Sequence, residues 1–361
     1  VKPKDIVYNP SNLRWGAINY NRLEHSVVVS PIYEVLYIKD PSETFLEFIA
    51  YAIMRDDQIR RFITKGQGTL VERIAVKIND FVETCFPIPF SIQEQIKIAA
   101  CLTSLDNLID AESQKLDALK AHKKGLLQNL FPREGETRPR LRFPEFRDAG
   151  EWTVKPMDKV YSFKGNNSFS RNQLNYESGT FRNIHYGDIH TQFSTLFDIT
   201  REKVPYINPS EALVGFRSEN QCIEGDMVFA DASEDLEDIG KSIELICLNN
   251  ERVVAGQHTI LARPNVDILV IGFGAFLFKS KRVRTQIQKE SQGAKVLGIS
   301  AKRIATVELP IPGCKAEQHR IASCLSSLDD QISAQTDRIE ALKTHKKGLM
   351  QQLFPAQEEE A

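Results

Sequence analysis

Apolar residues recur at alternating spacings of three and four in two long stretches of the chain, one ending near residue 130 and the other near residue 353. The two series are, in chain order, Leu102, Leu105, Ile109, Leu116, Leu119, Leu126 and Leu130, and Leu325, Leu328, Ile332, Ile339, Leu342, Leu349 and Leu353. Polar residues complete the two series, namely Glu112 and Lys123 in one and Gln335 and Lys346 in the other. This heptad seam predicts two long helices, each of which needs a partner helix to cover its apolar stripe.

The two stretches belong to an internal repeat. Residues 87–132 align with residues 310–355 at a constant offset of 223, and 26 of the 46 aligned positions are identical. The match continues more weakly upstream, where Asp-Ile-Val-Tyr at residues 5–8 resembles Asp-Met-Val-Phe at residues 226–229. Each half is therefore expected to be one globular unit followed by one long helix. Measured against the second half, the first is expected to lack the equivalent of residues 152–221, so that the chain begins inside its first domain.

The two predicted helices are expected to pair with each other. A helix from about Gln93 to Leu130 would be roughly 57 Å long, which exceeds one ~34 Å turn of DNA. An antiparallel pair of that length could hold two globular units over separate stretches of one duplex. Polar residues in the seam cost stability but can fix the register of the pair. A generic dimerisation coiled coil is the alternative for one such helix, and the duplication of the whole unit argues against it.

The globular units mix strands and helices. In the second unit we predict strands at residues 183–189 and 226–230 and a helical stretch over residues 266–289. In the first unit, residues 5–8 and 27–38 are predicted to be strands, and residues 45–63 carry apolar residues at helical spacing. An Arg-rich linker precedes the second unit, at residues 133–147.

Composition excludes several classes of protein. The longest apolar run, residues 268–278, is roughly half of the ~20 residues that a membrane-spanning helix needs, so we expect a soluble, cytoplasmic protein without a membrane partner. The six cysteines form no CxxC pair and have no closely spaced histidine. We therefore expect buried free thiols in a reducing compartment, and no metal site. The net charge of −2 argues against DNA binding unless basic groups cluster on one face or partner subunits contact the phosphates.

Polar side chains with paired donors and acceptors, together with Lys and Arg, mark candidate DNA-binding positions in both units. Those in the second unit are Asn167, Ser168, Arg171, Asn172, Gln173, Arg182, His185, Tyr186, His190, Lys295, Lys302 and Arg303. Those in the first unit are Arg14, Lys65, Gln67 and Lys77. Gly66 and Gly293 accompany two of these patches and could let backbone N–H groups approach a phosphate, or could simply end a helix.

Motifs for catalysis are missing from the sequence. It contains no glycine-rich loop of the GxGxxG or GxxxxGKS/T kind, and no Asn/Asp-Pro-Pro-Tyr/Phe motif that a self-sufficient adenine methyltransferase would be expected to carry. His122 and His345 each stand beside Lys-Lys, and no nucleophile is placed near them in sequence. We therefore predict no catalytic residue in this chain.

The chain resembles the specificity subunits of type I restriction-modification systems over essentially its whole length. The resemblance rests on motifs that occur twice: Pro-Ile-Pro, then Glu-Gln, then a long helix that ends in Lys-Lys-Gly-Leu and Leu-Phe-Pro. The entry to the second unit, Leu-Arg-Phe-Pro-Glu-Phe at residues 141–146 with Trp152 shortly after, is also typical. The resemblance implies an α+β fold, with two mixed α/β target-recognition domains separated by two long helices that form an antiparallel coiled coil.

The implied segments follow one another along the chain. They are the C-terminal part of the first target-recognition domain (1–80), a first spacer segment with its long helix (81–132), a linker (133–150), the second target-recognition domain (151–305), a second spacer segment with its long helix (306–355) and an acidic tail (356–361).

The resemblance also implies a function. Each target-recognition domain would read one half of a bipartite double-stranded DNA target, and the paired helices would set the gap between the halves. The helices would dock two methyltransferase subunits, and restriction (motor-nuclease) subunits would complete the complex. The cofactor S-adenosylmethionine would be bound by the methyltransferase partner, so that we expect no cofactor in this chain and no enzyme activity of its own.

Three other functions remain as alternatives. A coiled-coil adaptor that only joins partners would show no sequence-selective DNA binding. An RNA-binding protein would use the same polar and aromatic surfaces, and single-stranded RNA would compete for them. An autonomous methyltransferase would transfer methyl groups without added subunits.

Overall fold

The computed structural model describes residues 1–66, 74–211, 217–265 and 267–354. Its helices, numbered in chain order, are α1 (Leu46–Ile53), α2 (Asp56–Thr64), α3 (Ile78–Val82), α4 (Ile92–Asn129), α5 (Tyr186–Thr191), α6 (Phe273–Leu277), α7 (Lys281–Glu290), α8 (Ala301–Ile304) and α9 (Lys315–Leu353). Its strands are β1 (Ile6–Tyr8), β2 (Ile18–Tyr20), β3 (Glu34–Leu36), β4 (Thr153–Pro156), β5 (Tyr161–Lys164), β6 (Leu174–Asn175), β7 (Arg182–Ile184), β8 (Leu196–Asp198), β9 (Tyr206–Ile207), β10 (Met227–Ala230), β11 (Ala232–Ser233), β12 (Ser242–Cys247), β13 (Val253–Ala255), β14 (Thr259–Pro264), β15 (Leu297–Gly298) and β16 (Glu308–Ile311).

The chain divides into two compact units. Unit 1 consists of residues 1–116 and 335–361, and unit 2 consists of residues 117–334. Each unit therefore contains one globular head together with part of α4 and part of α9, because both long helices cross the division.

The head of unit 1 is a three-stranded antiparallel sheet covered by short helices. The strand order is β2-β1-β3, and Ile6 in the central strand pairs with Tyr20 on one side and Leu36 on the other. The Phe81 ring stacks on Tyr8 at 4.5 Å and on Phe62 at 4.2 Å, measured between ring centroids. These aromatic contacts join the sheet to α2 and α3 in one core.

Two predictions for the head of unit 1 need correction. Of the predicted strand at residues 27–38, only β3 (Glu34–Leu36) forms, because only these residues pair with β1. The helical stretch at residues 45–63 is split into α1 and α2. Arg55 is extended between them, with a ψ of 142°, and its guanidinium pairs with Asp57 in the first turn of α2.

The head of unit 2 is built on two sheets. The larger has the strand order β5-β14-β10-β12-β8, and its central strand β10 is buried at all four residues. The smaller has the order β13-β7-β9-β6, and two further pairs join β11 to β15 and β16 to β4. The side chains of Phe229, Phe273, Phe276 and Phe278 are fully buried together in the main core of this unit.

Two predictions for unit 2 also need correction. The strand predicted at residues 183–189 ends at Ile184, and α5 begins two residues later. The helical stretch predicted at residues 266–289 starts only at Phe273, after Gly272 adopts a left-handed φ of 91°, and it is interrupted at Ser280. Residue 266 lies outside the described residues. The strand predicted at residues 226–230 is present as β10.

The long helices pair in an antiparallel manner inside each unit. In unit 1, Lys346 Nζ donates to Asp106 Oδ1 at 2.6 Å, while Gln335 contacts Glu112 further along α4. In unit 2, Lys123 pairs with Asp329. All of the seam positions on both helices are buried or half-buried, including the four polar ones. The described residues contain no helix that is both long and apolar enough to cross a bilayer.

The six cysteines are free thiols, but the expectation that they are buried is wrong for Cys85, Cys101 and Cys314, which are exposed.

Each head is also anchored on both long helices of its unit. In unit 1, the core contains Leu102 from α4 and Phe354 at the end of α9, and the Phe354 ring stacks on Phe48 at 5.2 Å. In unit 2, the core contains Leu325 from α9 and Phe131 just after α4. Phe131 and Phe354 occupy the same position of the repeat, so the Leu-Phe ending of each helix serves the same packing role in its unit.

Candidate DNA interface

Helix α5 brings three of the sequence-predicted residues together on unit 2. The His185 side chain caps this helix, because the Gly187 N–H donates to His185 Nδ1 at 3.1 Å. The ring of Tyr186 lies 4.7 Å from the ring of His185 and 6.3 Å from that of His190. The sequence pattern predicts a strand here, but the cap starts a helix instead. This helix places the rings of His185, Tyr186 and His190 close together.

Arg171 joins this cluster from the loop after β5. Its guanidinium donates to both carboxylate oxygens of Asp188, at 2.6 and 2.9 Å, and lies 3.3 Å from His185 Nδ1. Asp188 is buried, whereas the Arg171 side chain is 46% exposed. The ion pair therefore holds the guanidinium at the surface with part of its edge open. An arginine fixed in this way can donate to a phosphate or to a guanine edge at little further cost in entropy.

The protonation of His185 follows from its neighbours. The Gly187 N–H and the Arg171 guanidinium both donate toward Nδ1, so Nδ1 accepts and the ring proton lies on Nε2. Burial, and then the charge of Arg171, lower the pKa of His185. The ring is therefore neutral at physiological pH, and Arg171 rather than His185 carries the positive charge at this point.

His258 completes the cluster, and sequence reasoning missed it. It lies in the turn between β13 and β14 with a left-handed φ of 56°, and its ring is 5.3 Å from that of Tyr186. His258 Nδ1 is 3.2 Å from Asp231 Oδ1, and burial raises the pKa of Asp231. The His258 side chain is about half exposed, at 49%. No local sequence pattern marks this residue, because it reaches Tyr186 only through the pairing of β14 with β10.

The second predicted patch of unit 2 adjoins the same cluster. Strand β15 closes a hairpin with Gln292 and pairs with β11, where Ala232 lies opposite Gly298. The carbonyl oxygen of Ala232 in turn accepts from His190 Nε2 at 2.9 Å. Strand β11 therefore connects the cluster on α5 to the hairpin that carries the exposed Lys295.

The hairpin depends on Gly293. Its φ is 130°, and a Cβ at this position would overlap the Val296 carbonyl oxygen. Gly293 is thus required by a tight turn two residues beyond the end cap of α7, and not by the helix end itself. In unit 1, Gly66 behaves as the end of a helix: its N–H donates to the carbonyl of Ile63 at the end of α2.

Three predicted residues of unit 2 have their polar groups occupied inside the head. Asn167 Nδ2 donates to Asn183 Oδ1 and to the Ala255 carbonyl. The Arg182 guanidinium donates to Glu251 and to the Val204 carbonyl, and it lies 4.0 Å above the Tyr206 ring. Gln173 Oε1 accepts a hydrogen bond from the Ser170 N–H, and Gln173 Nε2 donates one to Glu211 Oε2. Asn167 and Gln173 also bond within the segment that presents Arg171, because Asn167 Oδ1 accepts from the Phe169 N–H and Gln173 Oε1 accepts from the Ser170 N–H.

The remaining predicted residues of unit 2 are dispersed. Ser168, Asn172 and Lys302 are exposed. Arg303 pairs with Glu290 at 3.3 Å, beside the start of the hairpin.

The predicted residues of unit 1 lie on separate elements of its head. Arg14 lies over the ring of Trp15 at 4.9 Å, and that ring is 75% exposed. Lys65 Nζ donates to the Glu83 carbonyl at 3.3 Å, and Lys77 is exposed at the start of α3. Gln67 lies outside the described residues.

The family model for the type I restriction modification DNA specificity domain matches residues 150–344, more than half of the chain. The chain belongs to this family. Residues 150–344 include all of the cluster around Arg171, Tyr186 and His258, together with most of α9. The family assignment expected from the repeated motifs is thereby confirmed.

Curated relatives carry the same family name. The type I restriction enzyme MjaVIII specificity subunit of Methanocaldococcus jannaschii is 23% identical over 329 residues, which cover 85% of this chain and 69% of that protein. The putative type I restriction enzyme MjaX specificity subunit of the same organism is 30% identical over 137 residues, covering 37% of this chain and 31% of that protein.

Solved structures share the fold. The S subunit of a type I restriction-modification system from M. genitalium superposes with a TM-score of 0.59 at 14% identity, covering 99% of this chain and 84% of the other. A chain from a study of complex assembly and conformational transition of the type I R-M system superposes with a TM-score of 0.59 at 15% identity, covering 99% and 83%. The predicted α+β fold with paired long helices is confirmed.

Proposed function

We propose that this chain is the DNA sequence-specificity subunit of a type I restriction-modification complex, and that unit 2 reads double-stranded DNA through the surface around Arg171. The observation that carries the proposal is the position of that surface inside the segment that matches the DNA specificity family. Within it, Arg171 from the segment after β5, Tyr186 from the start of α5 and His258 from the turn between β13 and β14 converge and remain partly exposed.

The chemistry of the surface suits a DNA groove. Asp188 and His185 take three of the five N–H groups of Arg171, so the remaining hydrogens on Nε and Nη1 can each donate to a phosphate or to a base acceptor. Tyr186 and His258 offer flat rings with polar tips beside it. Lys295, at the adjoining hairpin, can neutralise a phosphate. We therefore expect Arg171 to contact a base or a phosphate, and Lys295 to contact the phosphate backbone of the DNA.

The net charge of −2 means that this chain alone neutralises few phosphates. The proposal therefore includes partners: two methyltransferase subunits docked on the paired helices, with restriction subunits joining them. The bipartite target follows from the duplicated unit, with the helix pair setting the gap. S-adenosylmethionine and the methyl-transfer site are assigned to the methyltransferase partner, so this chain would be non-catalytic.

The first experiment maps methylated adenines in cells that make this chain together with its neighbouring methyltransferase subunit. Cells with the methyltransferase alone are the control. A bipartite methylated motif that depends on the chain supports the role of sequence reader. The same methylation in both cultures would favour the adaptor function instead.

A second experiment tests the surface directly. Arg171→Ala should weaken binding of the mapped target by about tenfold or relax one half of the motif, in a shift assay at fixed salt concentration. Arg138→Ala is the matched control, because Arg138 is an exposed arginine of the linker, paired only loosely with Glu151 at 3.8 Å. Equal affinity of both variants and wild type would remove Arg171 from the interface.

A further inference from the structure

A cavity of about 720 Å³ lies within unit 2, between the head and α9. The head lines it with residues from α5, β8 and β12 and from the segments beside them. Helix α9 lines it with one face between Ser326 and Ser333, at positions i, i+3, i+4 and i+7. The cavity has the size of a pocket for a small molecule, since such pockets measure roughly 300–1,000 Å³.

The wall of this cavity is partly apolar and partly charged. Phe193, Leu196 and Ile246 contribute apolar side chains from the head, and Ile332 contributes one from α9. Lys279, on the short segment between α6 and α7, brings an ammonium group to the same wall. An apolar surface with a few polar groups beside it is the usual lining of a site for a small organic molecule.

The Lys279 ammonium lacks a counter-charge. Among the described residues of the chain, it donates one hydrogen bond, to the neutral Thr195 Oγ1, and joins no ion pair. An ammonium group has three N–H donors, so two of them remain for another acceptor. The Lys279 side chain is also partly buried, and a buried charge is unfavourable unless it is paired.

Other cations lie close to Lys279. Burial and the charges of Lys123, Lys241 and Arg284 lower the pKa of Lys279 to about 8, and Asp329 opposes this shift only in part. The surroundings of the Lys279 side chain therefore disfavour positive charge. A bound anion would reverse this balance, because it would stand next to an ammonium group that has no carboxylate of its own.

The carboxylates in the wall of the cavity already have partners. They are Asp198 with Arg201 and Thr200, Glu202 with the Ser194 N–H, Asp329 with Lys123, and Asp330 with Arg201. Each of them therefore interacts with a cation or a hydrogen-bond donor of the chain itself. Lys279 is different, since its described polar contact is a neutral hydroxyl group.

Packing alone does not require a lysine at this position of the fold. Tyr51 in unit 1 and Phe276 in unit 2 are counterparts, because a lysine of the helix pair lies over each of their rings. Three residues further on, unit 1 has Met54 where unit 2 has Lys279, and in both units the next residue precedes a helix, α2 or α7. An apolar side chain of similar length therefore fits here, and the ammonium group is particular to unit 2.

We propose that this cavity binds a small organic anion, which goes beyond the function proposed above. The anionic oxygens of the ligand, in a phosphate or carboxylate group, accept from the Lys279 ammonium. The apolar body of the ligand lies against Phe193, Leu196 and Ile246, which an inorganic ion would leave facing water.

The test uses the full chain and phenyl phosphate as the probe, in isothermal titration calorimetry. We expect saturable binding at one site per chain. Phenol and inorganic phosphate should each bind at least about tenfold more weakly, because each offers only one half of the ligand. Hydrogen exchange should slow at residues 193–198 and 326–333 when phenyl phosphate is bound, which locates the site even if a variant fails to fold.

Lys279→Met should weaken binding of phenyl phosphate by at least about tenfold, since it removes the charge-assisted hydrogen bond. Without ligand, this variant should have a thermal midpoint equal to or above that of the wild type, because it replaces an unpaired charge by the side chain that unit 1 has at this position.

Lys155→Met is the matched control, because Lys155 is an exposed lysine of the same unit, on β4. Arg171→Ala should also leave the affinity for phenyl phosphate unchanged, since Arg171 lies at the candidate DNA interface and not in the cavity wall. The proposal is overturned if phenyl phosphate does not bind at millimolar concentration, or if Lys279→Met and Lys155→Met bind it equally. Loss of binding in Arg171→Ala, or equal affinity for phenyl phosphate and inorganic phosphate, would also overturn it.

Discussion

Gln335 Nε2 donates to Glu112 Oε2 at 2.6 Å and to the Glu112 carbonyl at 3.0 Å, and these two residues are the same position in the two copies of the repeat. Glu112 on α4 and Gln335 on α9 are separated by the repeat offset of 223 residues. At this pair, therefore, the two helices contact each other through the same position of the repeat. The difference between the copies is what allows the bond, because an amide can donate to a carboxylate whereas two glutamates would repel.

The ion pairs of the helices obey the same relation. Lys346 with Asp106 in unit 1 and Lys123 with Asp329 in unit 2 are one pair with the two copies exchanged. A shift of either helix by one heptad would separate all of these partners. The polar seam residues therefore specify the register, while the apolar ones supply the burial.

The first prediction concerns that register. Gln335→Ala should lower the thermal midpoint by about 2–4 °C, since it removes the amide donor from the buried Glu112 carboxylate, which then keeps its ion pair with Arg338 at 2.8 Å. Gln331→Ala is the matched control, because Gln331 is an exposed glutamine one turn earlier on α9. Both variants can be followed by circular dichroism during thermal unfolding. Equal midpoints would mean that the Glu112–Gln335 pair adds nothing to helix pairing.

The second prediction concerns the apolar seam. Ile339→Ala, at a side chain that is 5% exposed, should lower the free energy of unfolding by about 2–4 kcal/mol. Adding Leu116→Ala should lower it further and loosen the gap length that the DNA target tolerates. Leu108→Ala on the outer face of α4, 39% exposed, is the control and should change stability by less than about 1 kcal/mol. If Ile339→Ala and Leu108→Ala lower the free energy of unfolding in urea by similar amounts, burial of the apolar seam does not stabilise the helix pair.

The long helices could be predicted closely from the sequence. The periodicity places the first at residues 93–130, and it spans Ile92–Asn129. A repeated apolar stripe is a local signal that persists over many turns, and duplication identifies the partner. Strands in the heads were harder, because a strand exists only where a neighbour pairs with it. Residues 27–29 are all valine and still form none, whereas Glu34–Leu36 pair with β1.

The candidate site was only partly visible in the sequence. Arg171, His185, Tyr186 and His190 stood out as polar residues of one stretch, and the structure does gather them. The helix that does so begins with a histidine cap, which is not a common capping residue. His258 comes from a distant turn and has a positive φ that its residue type does not announce. The sequence pattern predicts DNA binding for Arg182 as it does for Arg171. Strand pairing, however, places Arg182 against Glu251 and Tyr206.

The third prediction uses the repeat as its own control. Glu317→Ala should lower the stability of unit 2 by about 3–5 kcal/mol, because it leaves the buried Arg142 guanidinium without its carboxylate. Glu94→Ala alters the same repeat position in unit 1, where the side chain is exposed, and should be nearly neutral. Chemical unfolding of the two variants measures the difference. If both variants lose a similar free energy of unfolding, the buried Arg142–Glu317 pair does not stabilise unit 2.

The fourth prediction concerns Glu244, a carboxylate buried in the core of unit 2. Its oxygens accept from the backbone N–H groups of Gly272 and Ala275, at 2.7 and 2.6 Å, at the start of α6. Burial outweighs these bonds and raises the pKa of Glu244 to about 7. Since the folded state then binds a proton that the unfolded state has already released, this group favours folding most below pH about 4.5 and loses that contribution as pH rises to about 7.

Between pH 4.5 and 7, Glu244 should therefore lower the free energy of unfolding by at most about 1.4 kcal/mol for each unit by which the pH rises. Glu244→Gln cannot titrate, so the free energy of unfolding of this variant should fall less steeply between pH 4.5 and 7 than that of the wild type. Its absolute stability will differ as well, because the amide NH2 must face one of the two N–H donors, and for this reason the slope is the diagnostic quantity. Glu234→Gln, at an exposed position of the same unit, should leave the wild-type slope unchanged. Parallel curves for Glu244→Gln and wild type would mean that Glu244 is ionised in the fold throughout this range, with its two backbone donors outweighing burial.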